Sequence, residues 1–175
     1  MAAQSTYTPI ATYTVSGSST STITFSSIPQ TYTDLVCVVY GRNSYSTPYS
    51  QIIPQFNNDG TSSYSYTYIF GNGSGVGSSR TNNANFGWAG STSGGSDGAN
   101  IFGSVVFTVL NYANTIGYKT MLGRGGADYS SGGFVDMAVS TWRNTAAINA
   151  ISFGQSYGTV YVAGTTATLY GITAA

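Results

Sequence analysis

The feature that most limits what this chain can fold into is its near absence of charge. Only five acidic and five basic residues occur among 175, a charged fraction of 6%, against roughly 25% in an ordinary soluble domain. Serine, threonine, asparagine and glycine make up close to half of the chain instead. Thr and Tyr favour strands, whereas Gly, Asn and Ser favour turns, and the strong helix formers build no long stretch. The composition therefore predicts an all-β protein with long polar loops.

Apolar and polar residues alternate with a period of two along much of the chain, as they do in half-buried strands. About ten strands separated by turn residues indicate one antiparallel sandwich or barrel. The predicted strands cover residues 11–16, 20–27, 34–42, 50–57, 63–70, 101–111, 117–124, 133–142, 150–154 and 167–172. We expect a polar N-terminal arm over residues 1–8 and a single β-sandwich domain over residues 9–175, with no internal repeat.

Four local patterns refine this prediction. Gly17-Ser18-Ser19 separates the first two strands and predicts a hairpin between them. The continuous apolar run from Leu35 to Tyr40 predicts a strand that is covered on both faces. Pro54 predicts an edge strand or a bulge, because proline cannot donate to a strand ladder. Asn144 to Ala147 is the one place where a helical turn is expected.

The segment from Gly71 to Asn100 shows no clear periodicity. It consists mainly of Gly, Ser, Asn and Thr, with Val76, Arg80, Phe86 and Trp88 embedded in it. A loop of this length in a compact domain is usually functional or mobile. We therefore predict a long polar loop here, with at most one short strand near residues 85–90.

The residue types that carry most enzyme chemistry are missing. The chain has no histidine and no glutamate, which excludes Ser-His-Asp and Cys-His nucleophile systems and leaves zinc without ligands. Two aspartates could in principle serve a glycosidase, but only Asp136 falls inside a predicted strand. The other four lie at turns or in Gly-rich loops, where capping is the ordinary role: Asp34, Asp59, Asp97 and Asp128. We predict no enzymatic activity, no cofactor and no metal site.

Three motifs that resemble functional sites have simpler interpretations. Asn57-Asn58-Asp59-Gly60 has the composition of a calcium loop without its spacing or its terminal glutamate, so a hairpin turn is expected. Gly123-Arg124-Gly125-Gly126 looks like a phosphate-binding loop, but no helix pattern follows it, so a β-turn with an exposed arginine is expected. Cys37, the only cysteine, is expected to be a small buried hydrophobic residue.

Charge and hydropathy also limit the partners. The net charge is zero and the basic residues form no stripe, which argues against nucleic-acid binding. Residues 1–27 contain no basic and apolar regions of a secretory signal peptide, and no stretch of 18 apolar residues occurs. We therefore expect no membrane association, and synthesis in a cytoplasm.

Aromatic residues embedded in Ser, Gly and Asn are the candidates for a contact surface. In such surroundings an aromatic side chain can make adaptable contacts, as in antibody binding loops, or it can pack in the core. Together with one arginine of the long loop and one tyrosine of the arm, the predicted contact residues are Tyr7, Tyr45, Tyr49, Arg80, Phe86 and Trp88. They could contact either a sugar face or a protein neighbour.

Five stretches in a fixed order carry a resemblance to a known group of proteins. They are Ile23–Leu35, Gln55–Asp59, Val109–Ala113, Thr141–Ile148 and Thr168–Ile172. In this order they resemble small virion structural proteins of tailed bacteriophages, especially those of marine cyanobacteria. The resemblance extends from about residue 10 to the C-terminus and provides no catalytic or binding motif that could be transferred position by position.

The resemblance implies a β-sandwich of jelly-roll type on the exterior of a virion. It is consistent with a capsid decoration, or cement, protein that staples neighbouring major capsid subunits, with the arm and the long loop as the gripping segments. A symmetric homotrimer over a threefold position is the expected assembly. Because no shaft, coiled coil or collagen-like repeat occurs in the chain, decoration is favoured over a complete fibre. The alternative is a tail-fibre or surface module that binds a host receptor or a host surface glycan.

Overall fold

The computed structural model describes residues 6–17, 19–129, 132–155 and 159–173. These residues form twelve β-strands and no helix. The strands are β1 (Tyr7–Thr14), β2 (Thr22–Phe25), β3 (Asp34–Gly41), β4 (Tyr49–Phe56), β5 (Tyr64–Gly71), β6 (Val76–Ala84), β7 (Gly90–Ser93), β8 (Gly103–Leu110), β9 (Lys119–Tyr129), β10 (Gly132–Trp142), β11 (Ile151–Gln155) and β12 (Thr166–Ile172).

The strands form two antiparallel sheets. The large sheet has eight strands in the order β1-β12-β3-β8-β9-β10-β5-β6, and the small sheet has four in the order β2-β11-β4-β7. The predicted all-β, antiparallel sandwich is confirmed. The hairpins β5–β6 and β9–β10 only widen the large sheet. Without them the strand order is β1-β12-β3-β8 facing β2-β11-β4-β7, the order of a jelly roll.

The core lies between the two sheets because every second side chain of their facing strands is apolar. Leu35, Cys37 and Val39 of β3 are buried against the small sheet, as are Val105, Phe107 and Val109 of β8. The small sheet supplies Ile23, Phe25, Ile52, Phe56, Ile151 and Phe153. Cys37 is therefore a core residue as predicted, and burial raises the pKa of its thiol.

At the β7 end the two sheets come into main-chain contact, and glycine makes this possible. A Cβ on Gly125 of β9 would lie 2.6 Å from the carbonyl oxygen of Ser91 in β7, and one on Gly123 would clash with the carbonyl of Ala89. Gly123-Arg124-Gly125-Gly126 is thus the middle of a strand, and the predicted β-turn is wrong. The glycines are required by the close approach of β7 rather than by a turn.

Several boundaries differ from the sequence prediction because pairing is decided over long distances. The first two strands do not form a hairpin: β1 pairs with β12 in the large sheet, and β2 pairs with β11 in the small sheet. The polar segment 71–100 is not one loop, because it contains β6 and β7. β6 is an exposed edge strand in which small polar residues predominate, so it lacks the apolar alternation by which strands are recognised.

Four further predictions are corrected or refined. No helical turn forms over residues 144–147. The outer face of β3 is only partly covered, because Val38 and Tyr40 are 38% and 50% exposed. Pro54 lies in β4, which has neighbours on both sides, so the predicted edge strand is wrong. The ladder with β7 ends at Ile52, and beyond it the Pro54 carbonyl accepts the Gly87 amide at 2.8 Å. Of the predicted arm, Tyr7 and Thr8 belong to β1, whereas residues 1–5 lie outside the described part of the chain.

Candidate functional site: the outer face of the large sheet

The outer face of the large sheet carries a row of apolar side chains. Residues that are paired across neighbouring strands lie side by side on the same face. The register aligns one residue from each of five strands, from β3 to β5, and they are Val38, Val106, Arg124, Met137 and Ile69. Ile69 and Met137 are more than half exposed. Four of the five members of this row are apolar, on a surface where alternating strands normally present polar residues.

Two flanking rows extend the apolar area. On one side the register aligns Tyr40 of β3, Val135 of β10 and Val76 of β6, and Val76 is 92% exposed. On the other side Leu122 of β9 is paired with Val139 of β10, and both are exposed. We call this surface the apolar face; it consists of Val38, Tyr40, Ile69, Val76, Val106, Leu122, Val135, Met137 and Val139.

Two shallow grooves cross the apolar face and meet at Gly71, Val76, Arg124 and Val135. Their volumes are about 860 and 740 Å³. Glycines of four strands and turns contribute to the lining of the larger groove, among them Gly71, Gly75, Gly126 and Gly133. Because these positions have no side chain, main chain forms part of the groove wall. Such a groove has room for side chains that protrude from another surface.

The charge on this surface is sparse. Arg124 is exposed in the central row, and its neighbours in that row, Val106 and Met137, are apolar. Arg124 and Asp128 both line the larger groove, and Arg80 lies at the β6 edge. A partner that covers the apolar face would therefore have to provide apolar side chains and an acceptor for the Arg124 guanidinium.

Asp136, the aspartate predicted inside a strand, lies on the opposite, inner face and is buried. Its Oδ1 accepts the Ser91 amide at 2.9 Å, and its Oδ2 accepts the Trp88 indole N–H at 3.0 Å and the Ser91 hydroxyl at 2.7 Å. Burial raises the pKa of Asp136, and the hydrogen bonds from Ser91 and Trp88 oppose this shift. These contacts connect β10 to β7 and give Asp136 a structural role.

Asp59 makes a second set of such contacts at the predicted turn. Its Oδ2 accepts the Trp142 indole N–H at 2.6 Å and the Ser63 hydroxyl at 2.7 Å, and its Oδ1 accepts the Thr61 amide at 2.9 Å. Burial alone would raise the pKa of Asp59, but the hydrogen bonds from Ser63, Thr61 and Trp142 outweigh burial and hold the pKa below its ordinary value. The turn at Asn57–Gly60 is thereby attached to the core.

Lys119, the single lysine, is buried at the start of β9. Its Nζ donates to the carbonyl oxygens of Gly117 at 2.9 Å and Thr145 at 3.1 Å. Burial lowers the pKa of its ammonium group. Lys119 thus holds two loops at one end of the sandwich together.

The six predicted contact residues do not form one surface. Tyr7 and Arg80 lie on β1 and β6, which are the opposite edges of the large sheet. Tyr45 lies in the loop after β3 and is half-buried, and Tyr49 stacks on Phe134 at 3.9 Å between ring centroids.

Phe86 and Trp88 pack into the molecule. Trp88 stacks on Tyr68 at 4.3 Å and 8° between ring planes, and Phe86 stacks on Tyr66 at 6.2 Å. Both are partly buried against the core. Their rings therefore serve packing beneath β5, which is the structural one of the two roles considered for aromatic residues.

Sequence reasoning missed the apolar face, although a signal for it was present. From Phe134 to Val139, both faces of the strand carry apolar residues: Phe134 and Ala138 point inward, whereas Val135, Met137 and Val139 point outward. A strand that faces water on one side would have polar residues at the second set. The same double pattern occurs in Leu35 to Tyr40, where it predicted coverage of both faces.

Comparison with known proteins returns no match: no family model, no curated protein and no solved structure is similar to this chain. The described residues contain no cluster of three or more Cys, Asp, Glu or His side chains that could hold a metal ion. Within the same residues, no helix has the length and apolar character needed to span a membrane.

Proposed function

We propose that this protein is a non-enzymatic virion structural protein that decorates the outside of a bacteriophage capsid. The observation that carries the proposal is the apolar face. Large apolar patches on a soluble surface mark sites of protein association. The resemblance of five ordered stretches to small phage virion proteins indicates which partner to expect, namely the major capsid protein.

The proposed mechanism is noncovalent stapling of neighbouring capsid subunits. The apolar face covers parts of six strands, and a specific protein contact usually buries about 800 Å² on each partner. Each copy need contribute only a few kcal/mol, because contacts that bridge neighbouring subunits gain from a high effective concentration. In this proposal the apolar face supplies binding energy, and it replaces the arm and the long loop as the main gripping element.

Arg124 gives the proposed contact its orientation. An arginine surrounded by apolar side chains loses water when a partner covers it, so the partner must place a carboxylate or a carbonyl opposite it. A partner without such an acceptor would leave the Arg124 charge buried and unpaired, and this would weaken the binding. The proposed capsid surface therefore has an apolar area with an acceptor near its centre.

Binding of the purified protein to capsids that lack it tests the proposal directly. Ile69→Asp places a charge in the central row, and we expect at least a tenfold loss of capsid binding. Ile116→Asp is the matched control, because Ile116 is 86% exposed but lies in the loop between β8 and β9, away from the apolar face. Equal binding by both variants would show that the apolar face is not the contact.

Cryo-electron microscopy of the virion distinguishes decoration from the alternative. Density that bridges subunits on the shell supports decoration, and it also gives the copy number and the symmetry, against which the trimer expected from the resemblance is checked. Density only at the tail or at fibre tips would instead support the receptor- or glycan-binding module. Phe86 and Trp88, two of the aromatic residues predicted to contact a sugar or a protein, are stacked on tyrosines, which supports a protein partner.

A further inference from the structure

The two edge strands of the large sheet differ in how open they are to another strand. In the described part of the chain, β1 and β6 each have one neighbour. β1 contains Pro9 and an irregular register between Pro9 and Ala11, two features that discourage further pairing. β6 contains no proline and is paired with β5 in unbroken register from Val76 to Thr81. The register of β6 shifts only beyond Thr81, so residues 76–81 form a regular open edge.

The hairpin that joins β5 to β6 shows which main-chain groups of β6 point outward. The Asn72 amide donates to the Gly75 carbonyl at 3.1 Å. In an antiparallel pair, the residues that exchange hydrogen bonds alternate with those that do not. Gly77 and Ser79 therefore bond to β5, whereas the N–H and C=O groups of Val76, Ser78 and Arg80 point away from the sheet.

We infer that β6 pairs antiparallel with β6 of a second copy of this chain, around a twofold axis at Ser78. The outward-pointing residues Val76, Ser78 and Arg80 are symmetric about Ser78. In this register Ser78 faces Ser78 of the second copy, and Val76 faces Arg80 of the second copy. Three residue pairs then exchange main-chain hydrogen bonds, and the two large sheets become one continuous sheet.

The single charge of β6 does not oppose a second copy as the occupant. Arg80 is the only charged residue of β6. In the twofold register it lies opposite Val76 of the second copy, so the two arginines are separated by about 13 Å along the strands, at about 3.3 Å per residue. That distance exceeds the screening length of about 8 Å at physiological salt. The edge thus matches itself without contact between like charges.

The pairing has a consequence for the apolar face. The side chains of Val76, Ser78 and Arg80 lie on the outer surface of the sheet, where Val76 continues the row of Val135. A twofold pair through β6 therefore brings two apolar faces side by side in one surface. This inference goes beyond capsid binding, which requires only the apolar face of a single copy.

Cysteine cross-linking tests the register. Cα atoms of a hydrogen-bonded antiparallel pair lie about 5.5 Å apart, within the range that a disulfide bridges. Ser78→Cys should therefore form a covalent dimer on mild oxidation. Ser79→Cys is the matched control, since it is also exposed but would lie about 8 Å from its counterpart, beyond the reach of a disulfide. The native Cys37 is buried and does not compete.

Analytical ultracentrifugation tests the assembly itself. The wild-type protein should sediment with twice the chain mass of 18.2 kDa. Ser78→Pro removes an N–H that faces away from β5, so it should retain the circular dichroism of the wild type and weaken the dimer at least tenfold.

Three results would overturn the inference: a wild-type protein that stays monomeric up to its solubility limit, a trimer, or equal cross-linking of the two cysteine variants. A monomer that still binds capsids would leave the proposed function intact.

Discussion

At the scale of single residues, the two tryptophans of this chain are fixed by two aspartates. Trp88 donates to Asp136 and Trp142 donates to Asp59. Each carboxylate also accepts a serine hydroxyl and a main-chain amide. In a chain with only five acidic residues, two are thus used to hold large aromatic side chains. A sequence alone identifies such residues as candidates for catalysis or capping, and the hydrogen bonds show that each one holds a tryptophan side chain.

Substitution of Asp136 by asparagine should be strongly destabilising. The Trp88 indole and the Ser91 amide can only donate, so an asparagine amide would place its own N–H groups against one of these donors. We expect a loss of about 3 kcal/mol in the free energy of unfolding, measured by urea denaturation. Asp128→Asn is the control, since Asp128 is exposed in the same sheet, and it should change stability by less than about 0.5 kcal/mol. Similar losses in both variants would contradict the structural role of Asp136.

Asp59 should make stability depend on pH in the acid range. Its pKa in the folded protein is held below the ordinary value, which is about 3.9 in an unfolded chain. Its contribution is therefore fully present above about pH 4 and is lost as the pH falls towards the folded pKa. We expect Asp59→Asn to cost about 2 kcal/mol at pH 7.

Urea denaturation of the wild type and of Asp59→Asn at pH 7 and below pH 4 measures this effect. The difference between the two proteins should shrink as the pH falls. A difference that stays constant would mean that the Asp59 pKa is not lowered by folding. Asp136, whose pKa is raised by burial, contributes in the opposite direction but is present in both proteins.

At the scale of elements, the contact between β7 and β9 determines the geometry of one end of the sandwich. Packed sheets are usually separated by about 10 Å of side chains, whereas here the main chain of β7 approaches the glycines of β9 directly. The same strand, β9, presents Arg124 and Leu122 on its outer surface. The glycine-rich run thus gives close packing inside and contributes to the apolar face outside.

Gly125→Ala should therefore be destabilising, because its methyl group would meet the main chain of Ser91 and a side-chain methyl of Val105 at 2.7 Å. Neither strand can move without separating its sheet, so we expect a loss of about 3 kcal/mol, measured by thermal or urea unfolding. Gly117→Ala is the control: a Cβ there meets nothing within 4 Å, and the change should be near neutral or slightly stabilising. An unchanged stability of Gly125→Ala would mean that β7 is not held against β9.

At the scale of the whole molecule, the low charge predicts how the proposed capsid contact responds to salt. The apolar face carries one arginine in its central row, so burial of apolar area would supply most of the binding energy. Binding to capsids should persist between about 0.1 and 1 M salt, over which the screening length falls from about 10 to 3 Å. Co-sedimentation with capsids at increasing NaCl concentration measures this. Release at moderate salt would indicate a charge-driven contact instead.

Much of the architecture could be predicted from the chain alone. The sequence places the strands with a clear apolar pattern, such as β3, β5, β8, β10 and β12, within about two residues, because apolar pattern and turn residues are local properties. β6 and β7 were missed, since a polar edge strand and a strand packed through glycine have no apolar period. Aromatic residues in loop-like sequence are predicted to contact a partner. The stacking of Trp88 on Tyr68 joins distant parts of the chain, so the sequence does not predict it.

The sequence by itself determined that this protein is built from antiparallel strands with a core of alternating apolar residues, because composition and period act along the chain. It also determined the lack of histidine chemistry. Only the tertiary structure decided which strands are neighbours, which glycines touch another strand, and which face of a strand with two apolar faces points outward. These depend on pairing between residues as distant as Tyr7 and Ile172. The apolar face exists because six strands from separate parts of the chain are held in one register.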